Sequence, residues 1–176
     1  MANREALREL QTRLASRLQA ARSEGVSPSW LAVKAGKANY LFPLAQSGEI
    51  FPLANVQVVP YSRHWFMGVI NLRGGLYGVV DLTSFLGDGA TRASTEQSLA
   101  ESSVVTFNAA LEVNCALMVD RLAGLRKREA FSEAVAPPEG SPIYFGSRFT
   151  DLNGVHWQEI DLRSLSQLPE FLSISA

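Results

Sequence analysis

Hydrophobic and polar residues alternate with two different periods along this chain, and the change falls near residue 28. Leu7, Leu10, Leu14 and Leu18 recur at three- and four-residue spacing among good helix formers, with Glu9 four residues before Arg13. That spacing lines the leucines along one face and predicts an amphipathic helix over residues 3–22. Ser23 to Ser29, with Gly25 and Pro28, ends it. The plain use of the leucine stripe is to cap the domain's own core; docking on a partner or a second copy is the alternative. Five arginines in the segment raise the question of a membrane surface, but Glu5 and Glu9 interleave with them and the apolar face has no bulky aromatic.

From Trp30 onward the runs are short and β-rich: 30–34, 38–44, 66–72, 76–80, 103–108, 113–119, 142–146 and 155–160. Glycine, proline, serine and asparagine separate them. Many short strands and few long helices predict barrels or a sandwich, with a polar loop at 88–102 dividing the chain into halves. A weak internal echo fits two related units. Val79-Val80-Asp81-Leu82-Thr83-Ser84-Phe85-Leu86 and Glu159-Ile160-Asp161-Leu162-Arg163-Ser164-Leu165 each run from strand into aspartate, then place apolar residues at helical spacing. The aspartates are expected to cap short helices that stop at Gly87 and Pro169.

Composition narrows the function classes. The 176 residues suit one domain, or two small halves sharing a core, and 47% hydrophobic content is enough to build one. No run approaches the roughly 20 apolar residues of a membrane span, and Met1 to Arg22 lacks the apolar stretch of a signal peptide, so a cytoplasmic protein is expected. Sixteen basic and 17 acidic residues give a net charge of −1, which offers no general attraction for nucleic acid. Cys115 is alone, which excludes an intrachain disulfide.

Candidate chemistry is sparse. Asp81, Asp120, Asp151 and Asp161 could form an acid–base pair, but three of them end apolar strands, where caps or turns explain them better. Cys115 has His64 and His156 as conceivable bases, yet it lies inside a strand-like run and reads as a small buried hydrophobe. The two histidines have no metal-ligand spacing, so no metal site is expected. Gly74 to Gly78 lacks the Lys-Ser/Thr pair of a phosphate loop. Arg126-Lys127-Arg128 is balanced by Glu129 and Glu133 and reads as a solvated face.

The most informative stretch is Val69 to Gly87, VINLRGGLYGVVDLTSFLG. Two β-branched runs flank Arg73-Gly74-Gly75, where paired glycines supply the positive torsions of a tight connection, so the segment predicts a β-hairpin. Arg73 falls outside this account. A cation beside a turn between two apolar strands adds nothing to a core and is available to a partner.

Gly68-Val69-Ile70-Asn71-Leu72-Arg73-Gly74, then Val79-Val80-Asp81-Leu82 and Leu86-Gly87, resembles the central motif of the CheW-like chemotaxis coupling family, which usually reads G-V-x-N-L-R-G and then P-V-x-D-L-R. Tyr40 to Leu44 and Val59-Pro60 upstream, and Val104 to Phe107, Cys115 to Asp120 and Glu159 to Leu162 downstream, extend the likeness over roughly residues 29 to 168. The resemblance implies a mainly β fold of two intertwined five-stranded SH3-like β-barrels sharing a hydrophobic seam over residues 28–172. To these are added the N-terminal amphipathic helix with its linker, residues 1–27, and a short C-terminal helix.

It also implies a non-catalytic, cofactor-free adaptor between the cytoplasmic tip of a methyl-accepting chemoreceptor and a CheA-type histidine kinase, recruited to membrane receptor arrays. Asn71, Leu72, Arg73 and Gly74 match the hairpin associated with receptor binding. Arginine suits that role because its donor fork can bind a carboxylate or helix-end carbonyls, though it can equally brace its own loop. Ser47-Gly48-Glu49-Ile50 lies where the family carries V-x-E-I, so Glu49 and Ile50 are further partner-binding candidates; Gly48 and the missing valine depart from that pattern, and an exposed turn is the plainer reading. For the kinase only a region is implied, the strands around 104–108 and 115–125. Self-association is left open.

Three positions depart from the motif: Gly78 replaces a proline, Thr83 the arginine of D-L-R, and Arg63 a second proline after Val-Pro. Retained scaffold residues with altered partner-facing ones resemble the branch that serves type IV pilus chemosensory systems and twitching motility; flagellar chemotaxis is the alternative output. Two readings from other classes compete. One is a small-ligand barrel with Trp30, Trp65 or Trp157 as a stacking wall, and the other is a hydrolase using Cys115 or an aspartate pair.

Overall fold

The computed structural model describes residues 2–23, 28–87 and 96–175. Helix α1 (Ala2–Ser23) precedes β1 (Ser29–Ala35) and β2 (Ala38–Pro43), an antiparallel hairpin. The chain then builds a second sheet from β3 (Ser47–Pro52), β4 (Phe66–Leu72), β5 (Gly75–Asp81), β6 (Ser103–Phe107) and β7 (Cys115–Val119), with short helices α2 (Leu82–Phe85) and α3 (Glu96–Glu101) between β5 and β6. It returns to the first sheet with β8 (Arg121–Lys127), β9 (Phe131–Val135), β10 (Phe145–Asp151) and β11 (His156–Ile160), and closes with α4 (Leu162–Gln167) and α5 (Pro169–Leu172). The sheets run β8-β1-β2-β11-β10-β9 and β3-β6-β7-β5-β4, each with one parallel pair, β2–β11 and β5–β7. Enclosing residues 47–119 between two pieces of the other sheet is what intertwines them.

Strand alternation sorts the apolar side chains into three cores. In β1, Trp30 and Ala32 join a cluster with Leu41, Phe131, Phe149 and Trp157, while Leu31 and Val33 join a second cluster with Phe42, Val105, Leu117 and Ile160. In β6 and β7, Val104, Ala116 and Met118 enter a third cluster with Ile70, Leu72 and Val79, whereas Val105, Leu117 and Val119 again turn to the second. Ala123 of β8 and Phe131 of β9, from opposite edges of the six-stranded sheet, pack on one cluster, so that sheet curls around it. Phe51 of β3 and Leu72 of β4 do the same in the five-stranded sheet. The middle cluster is therefore the seam between two barrel-like sheets. Every residue of β6 and β7 is buried, the pattern of strands covered on both faces.

Helix α1 serves its own domain. Leu14 and Leu18 are buried in the seam, and Gln11 Nε2 donates to Ser103 Oγ at 2.7 Å. The N-terminal half of the leucine stripe is not used in this way: Leu7 is half-buried and Leu10 is 46% exposed. At the other end Asp161 caps α4, accepting from Arg163 N (3.0 Å) and Ser164 N (3.3 Å), and Asp81 caps α2, accepting from Thr83 N (3.2 Å). The echo between the two segments is thus a repeated strand-to-cap junction. Leu162, Leu165 and Phe171 close the seam, with Phe171 stacked on Trp65 and Phe107.

Several boundaries differ from expectation. Strands β3, β8 and β9 are missing from the runs that the residue pattern predicts, although the resemblance takes in most of β8 within 115–125, because Gly48 and Pro52 interrupt the first and β8 and β9 carry Arg121, Arg126, Lys127, Ser132 and Glu133. The strand expected at 142–146 starts only at Phe145, after a turn in which Phe145 N donates to Pro142 O at 2.9 Å. The expected loop at 88–102 does not divide the chain: its part 96–101 is α3, and β5 and β6 on either side belong to one sheet; its residues 88–95 lie outside the described ones. Gly87 ends α2 at φ +79, as expected, but Pro169 opens α5 at the first helical position rather than only closing α4, so two short C-terminal helices are present.

Because Leu14 is buried between α1 and the seam, Leu14→Ala should lower unfolding free energy by about 2–4 kcal/mol in urea titrations. A loss under about 0.5 kcal/mol would mean that the helix does not dock on its own domain.

Candidate partner-binding site

Two elements distant in sequence meet at one end of the five-stranded sheet. Leu72 pairs with Gly75, which leaves Arg73 and Gly74 as a two-residue turn at φ +50 and +82, both positive as a type I′ hairpin requires. The paired-glycine expectation is corrected accordingly: Gly75 is the first residue of β5, and Arg73 takes the other left-handed position. Asn71 Oδ1 accepts from Gly74 N at 3.0 Å and steadies the turn. A side chain at this torsion costs about 1 kcal/mol relative to an ordinary conformation, so Arg73 is held where glycine or asparagine would sit more easily.

The Arg73 head spans the sheet's closure. Its Nη1 lies 2.9 Å from Glu49 Oε1, and its guanidinium stands 5.6 Å from the Phe51 ring centroid. Glu49 and Phe51 belong to β3, and Arg73 follows β4; these strands are the two edges of the five-stranded sheet. The side chains remain accessible, 73% for Arg73 and 40% for Glu49, so the pair itself contributes at most about 1 kcal/mol of stability. Beneath it is an open depression of about 390 Å³ lined by Glu49, Phe51, Arg73, Tyr77, Thr106 and Asn108.

The remaining candidates act from behind. Leu72 and Ile50 are only 8% and 7% exposed, so their side chains fix the strands that carry Arg73 and Glu49 and do not face a partner. Gly48 explains the departure from V-x-E-I. A Cβ there would collide with Thr106 Oγ1 and stand 2.7 Å from Phe107 O, while Thr106 Oγ1 lies 2.7 Å from Glu49 N, at a register shift between β3 and β6. Glycine lets β3 bulge and turn Glu49 toward Arg73. Phe51, Tyr77 and Asn108 line the depression without having been singled out in the sequence, where an aromatic beside a proline or glycine reads as ordinary strand or turn.

The three motif departures also have local causes. Gly78 N donates to Asn114 O at 3.0 Å and Arg63 N to Ile174 O at 2.8 Å, bonds that proline cannot make. A Cβ at Gly78 would also stand 2.9 Å from the Phe66 ring. Thr83 is buried against Gly36, whose added Cβ would meet Thr83 Cγ2 at 2.9 Å, so Thr83 is not partner-facing. Its hydroxyl is buried without a hydrogen-bond partner among the described residues. In the region implied for the kinase, β6 and β7 are wholly internal, and only β8 reaches the surface, with Arg121 exposed.

Catalytic and ligand-binding readings lose their residues to structure. Burial pushes the Cys115 thiol up to about 12, far from a reactive thiolate. Asp120 accepts from Gly36 N, and Asp151 accepts from Trp157 Nε1, Val155 N and Asn153 N, bonds that, the Trp157 one foremost, hold its carboxyl below the usual value. Trp30 packs on Phe131 and Phe149 and donates to Glu159, Trp65 is packed by Phe85 and Phe171, and Trp157 is buried under Arg126; none forms an open stacking wall. His156 Nδ1 sits 3.1 Å from Thr150 Oγ1. Among the described residues no three His, Cys, Asp or Glu side chains gather as metal ligands.

Comparison with known proteins agrees with this picture. The model of the CheW-like domain matches residues 29–170. Protein PilI of Pseudomonas aeruginosa is 30% identical over 131 residues, covering 73% of this chain and 70% of that protein. The crystal structure of the scaffolding protein TtCheW from Thermoanaerobacter tengcongensis superposes with a TM-score of 0.61 over 77% of this chain and 89% of that one, at 16% identity, a likeness of fold.

Two outcomes are expected. Gly78→Pro should cost at least about 2 kcal/mol in thermal or urea unfolding, because it leaves Asn114 O unpaired and crowds Phe66. Iodoacetamide at pH 8 should leave the native thiol unmodified and label it only in denaturant; rapid labelling of folded protein would contradict the burial of Cys115.

Proposed function

The chain belongs to the CheW-like domain family of non-catalytic scaffolds, and from that premise we propose that it couples the cytoplasmic tip of a methyl-accepting chemoreceptor to a CheA-type histidine kinase in a type IV pilus system controlling twitching motility. The observation that carries this reading is the exposed Arg73–Glu49 pair at the closure of the five-stranded sheet. An arginine is kept at a left-handed torsion, aimed over an open depression, where its contribution to folding is small. Support for the pilus branch comes from the likeness to PilI.

The bracing and contact roles of Arg73 are compatible. Opening an exposed ion pair costs little, so a receptor carboxylate or the carbonyl end of a receptor helix can exchange with Glu49 for the guanidinium. Glu49 then keeps the fork pointed into the depression until a partner arrives. Function of this kind places the protein in the cytoplasm, recruited to receptor arrays. Among the described residues, no helix is long and apolar enough to cross a membrane.

A pull-down with the regulatory domain of the CheA-like kinase from the same pilus system tests the coupling reading; failure to bind any such kinase would remove it. Binding only a flagellar kinase would move the output to swimming. Arg73→Ala should weaken co-assembly with receptor tips about tenfold, or 1.4 kcal/mol, while shifting the melting temperature by no more than about 2–4 °C. Unchanged co-assembly, or a collapse of the melting temperature, would show that Arg73 is only a brace.

A further inference from the structure

The turn between β10 and β11 holds a reactive pair of residues that the coupling role does not use. Of the seven asparagines in the chain, only Asn153 is followed by glycine. A side chain on the following residue shields its backbone nitrogen, whereas glycine leaves that nitrogen open to attack a neighbour. An added Cβ at Gly154 would meet nothing within 4 Å, so the space around it is free. Other asparagine side chains are engaged. Asn39 Nδ2 donates to His156 O, Asn71 Oδ1 accepts from Gly74 N, and Asn108 uses both ends of its amide, on Ala110 N and Ala45 O. Asn153 is exposed, and among the described residues only its backbone nitrogen is hydrogen-bonded, to Asp151.

The turn itself holds this reactivity back. Gly154 N donates to Asp151 O at 3.0 Å, while the Asp151 carboxylate accepts from Asn153 N at 2.8 Å and from Val155 N at 3.0 Å. One aspartate thus ties down three successive backbone nitrogens, and Gly154 N must leave its bond before it can reach the Asn153 side chain. Little else holds the tip closed. Leu152 is 74% exposed and Val155 40%, so opening breaks exposed hydrogen bonds without uncovering apolar core, the kind of local motion with the lowest free-energy cost.

We propose that Asn153 is a site of spontaneous deamidation, gated by Asp151, which converts the neutral tip of the β10–β11 hairpin into an acidic one. In the open turn Gly154 N loses its proton to hydroxide and attacks Asn153 Cγ. The new N–C bond closes a succinimide ring, and Nδ2 leaves as ammonia. Water then adds to one of the two ring carbonyls and the C–N bond there breaks. Cleavage at Cγ leaves aspartate with the original peptide bond; cleavage at the main-chain carbonyl leaves isoaspartate, with one more carbon in the backbone. One water enters and one ammonia departs. Either product takes the formal net charge from −1 to −2 and sets a second carboxylate two residues from Asp151. The isoaspartyl product also lengthens the turn that keeps the Asp151 carboxylate on Val155 N and Trp157 Nε1.

The full-length protein would be held at pH 8 and 37 °C and followed by anion exchange and peptide mapping, with the same protein in urea as the unfolded reference. A form one charge more acidic should accumulate, with the change from amide to acid confined to Asn153 and part of it present as isoaspartate. Asn153→Gln should abolish that form. Opening the gate should speed the reaction: urea, and Asp151→Ala in protein shown to be folded by its melting curve, should each raise the rate at Asn153 at least about fivefold, the effect of losing one ordinary hydrogen bond from the closed turn. The urea comparison reads the gate even where Asp151→Ala does not fold. An Asn153 that stays intact in folded protein while the unfolded chain reacts to completion, or a change spread evenly over the seven asparagines, would overturn the site. Equal rates in native protein and in urea would overturn the gate.

Discussion

The rest of this structure depends on strands that are covered on both faces. A half-buried sheet needs one apolar residue in two, but β1, β2, β6 and β7 carry them almost without interruption and divide them between an inner core and a common seam. Burying a Leu, Ile or Phe fully is worth about 1.5–3 kcal/mol each, so the seam between the sheets is as strong a constraint as the interior of either. It also fixes their mutual position. With the two barrels joined through packed side chains, the hairpin is held in a fixed place relative to both sheets.

What the sequence reveals follows from how local the cause is. The β4–β5 hairpin, the two capping aspartates and the leucine helix are each set by a few neighbouring residues, and all three are present where expected. The order of the sheets is legible only through resemblance to a known family, since the parallel pairs β2–β11 and β5–β7 join residues far apart in the chain. Strand β8 is hidden from the residue pattern because its arginines and Gly124 mask the alternation; the resemblance alone reaches it, and pairing with β1 forms it. At the site, Arg73 and Glu49 can each be picked out by motif position. Their contact cannot, because it depends on the sheet curling until its edges meet. Leu72 and Ile50 belong to the same motifs but face inward, for motif membership does not distinguish a contact from the frame that presents it.

A scaffold without chemistry need not lack polar residues in special environments. Asp81, Asp120, Asp151 and Asp161 all accept backbone or side-chain N–H groups that burial or a turn would otherwise leave unpaired, and the lone thiol is a core hydrophobe. The departures at Gly78 and Arg63 follow the same logic. Where a motif proline would be silent, each offers an N–H, to Asn114 and to Ile174, and so adds a tie between segments that are distant in sequence.

The left-handed backbone at Arg73 sets conformational ease against use. Glycine or asparagine would relieve the torsion and give up little folding energy with the exposed ion pair, so the substitutions that remove this guanidinium are among those that would make the protein sturdier. Thermostability selection applied without a binding screen would therefore be expected to erode this position early. A hardened variant could look like a better protein by every folding measure while having lost the side chain on which the proposed coupling role rests.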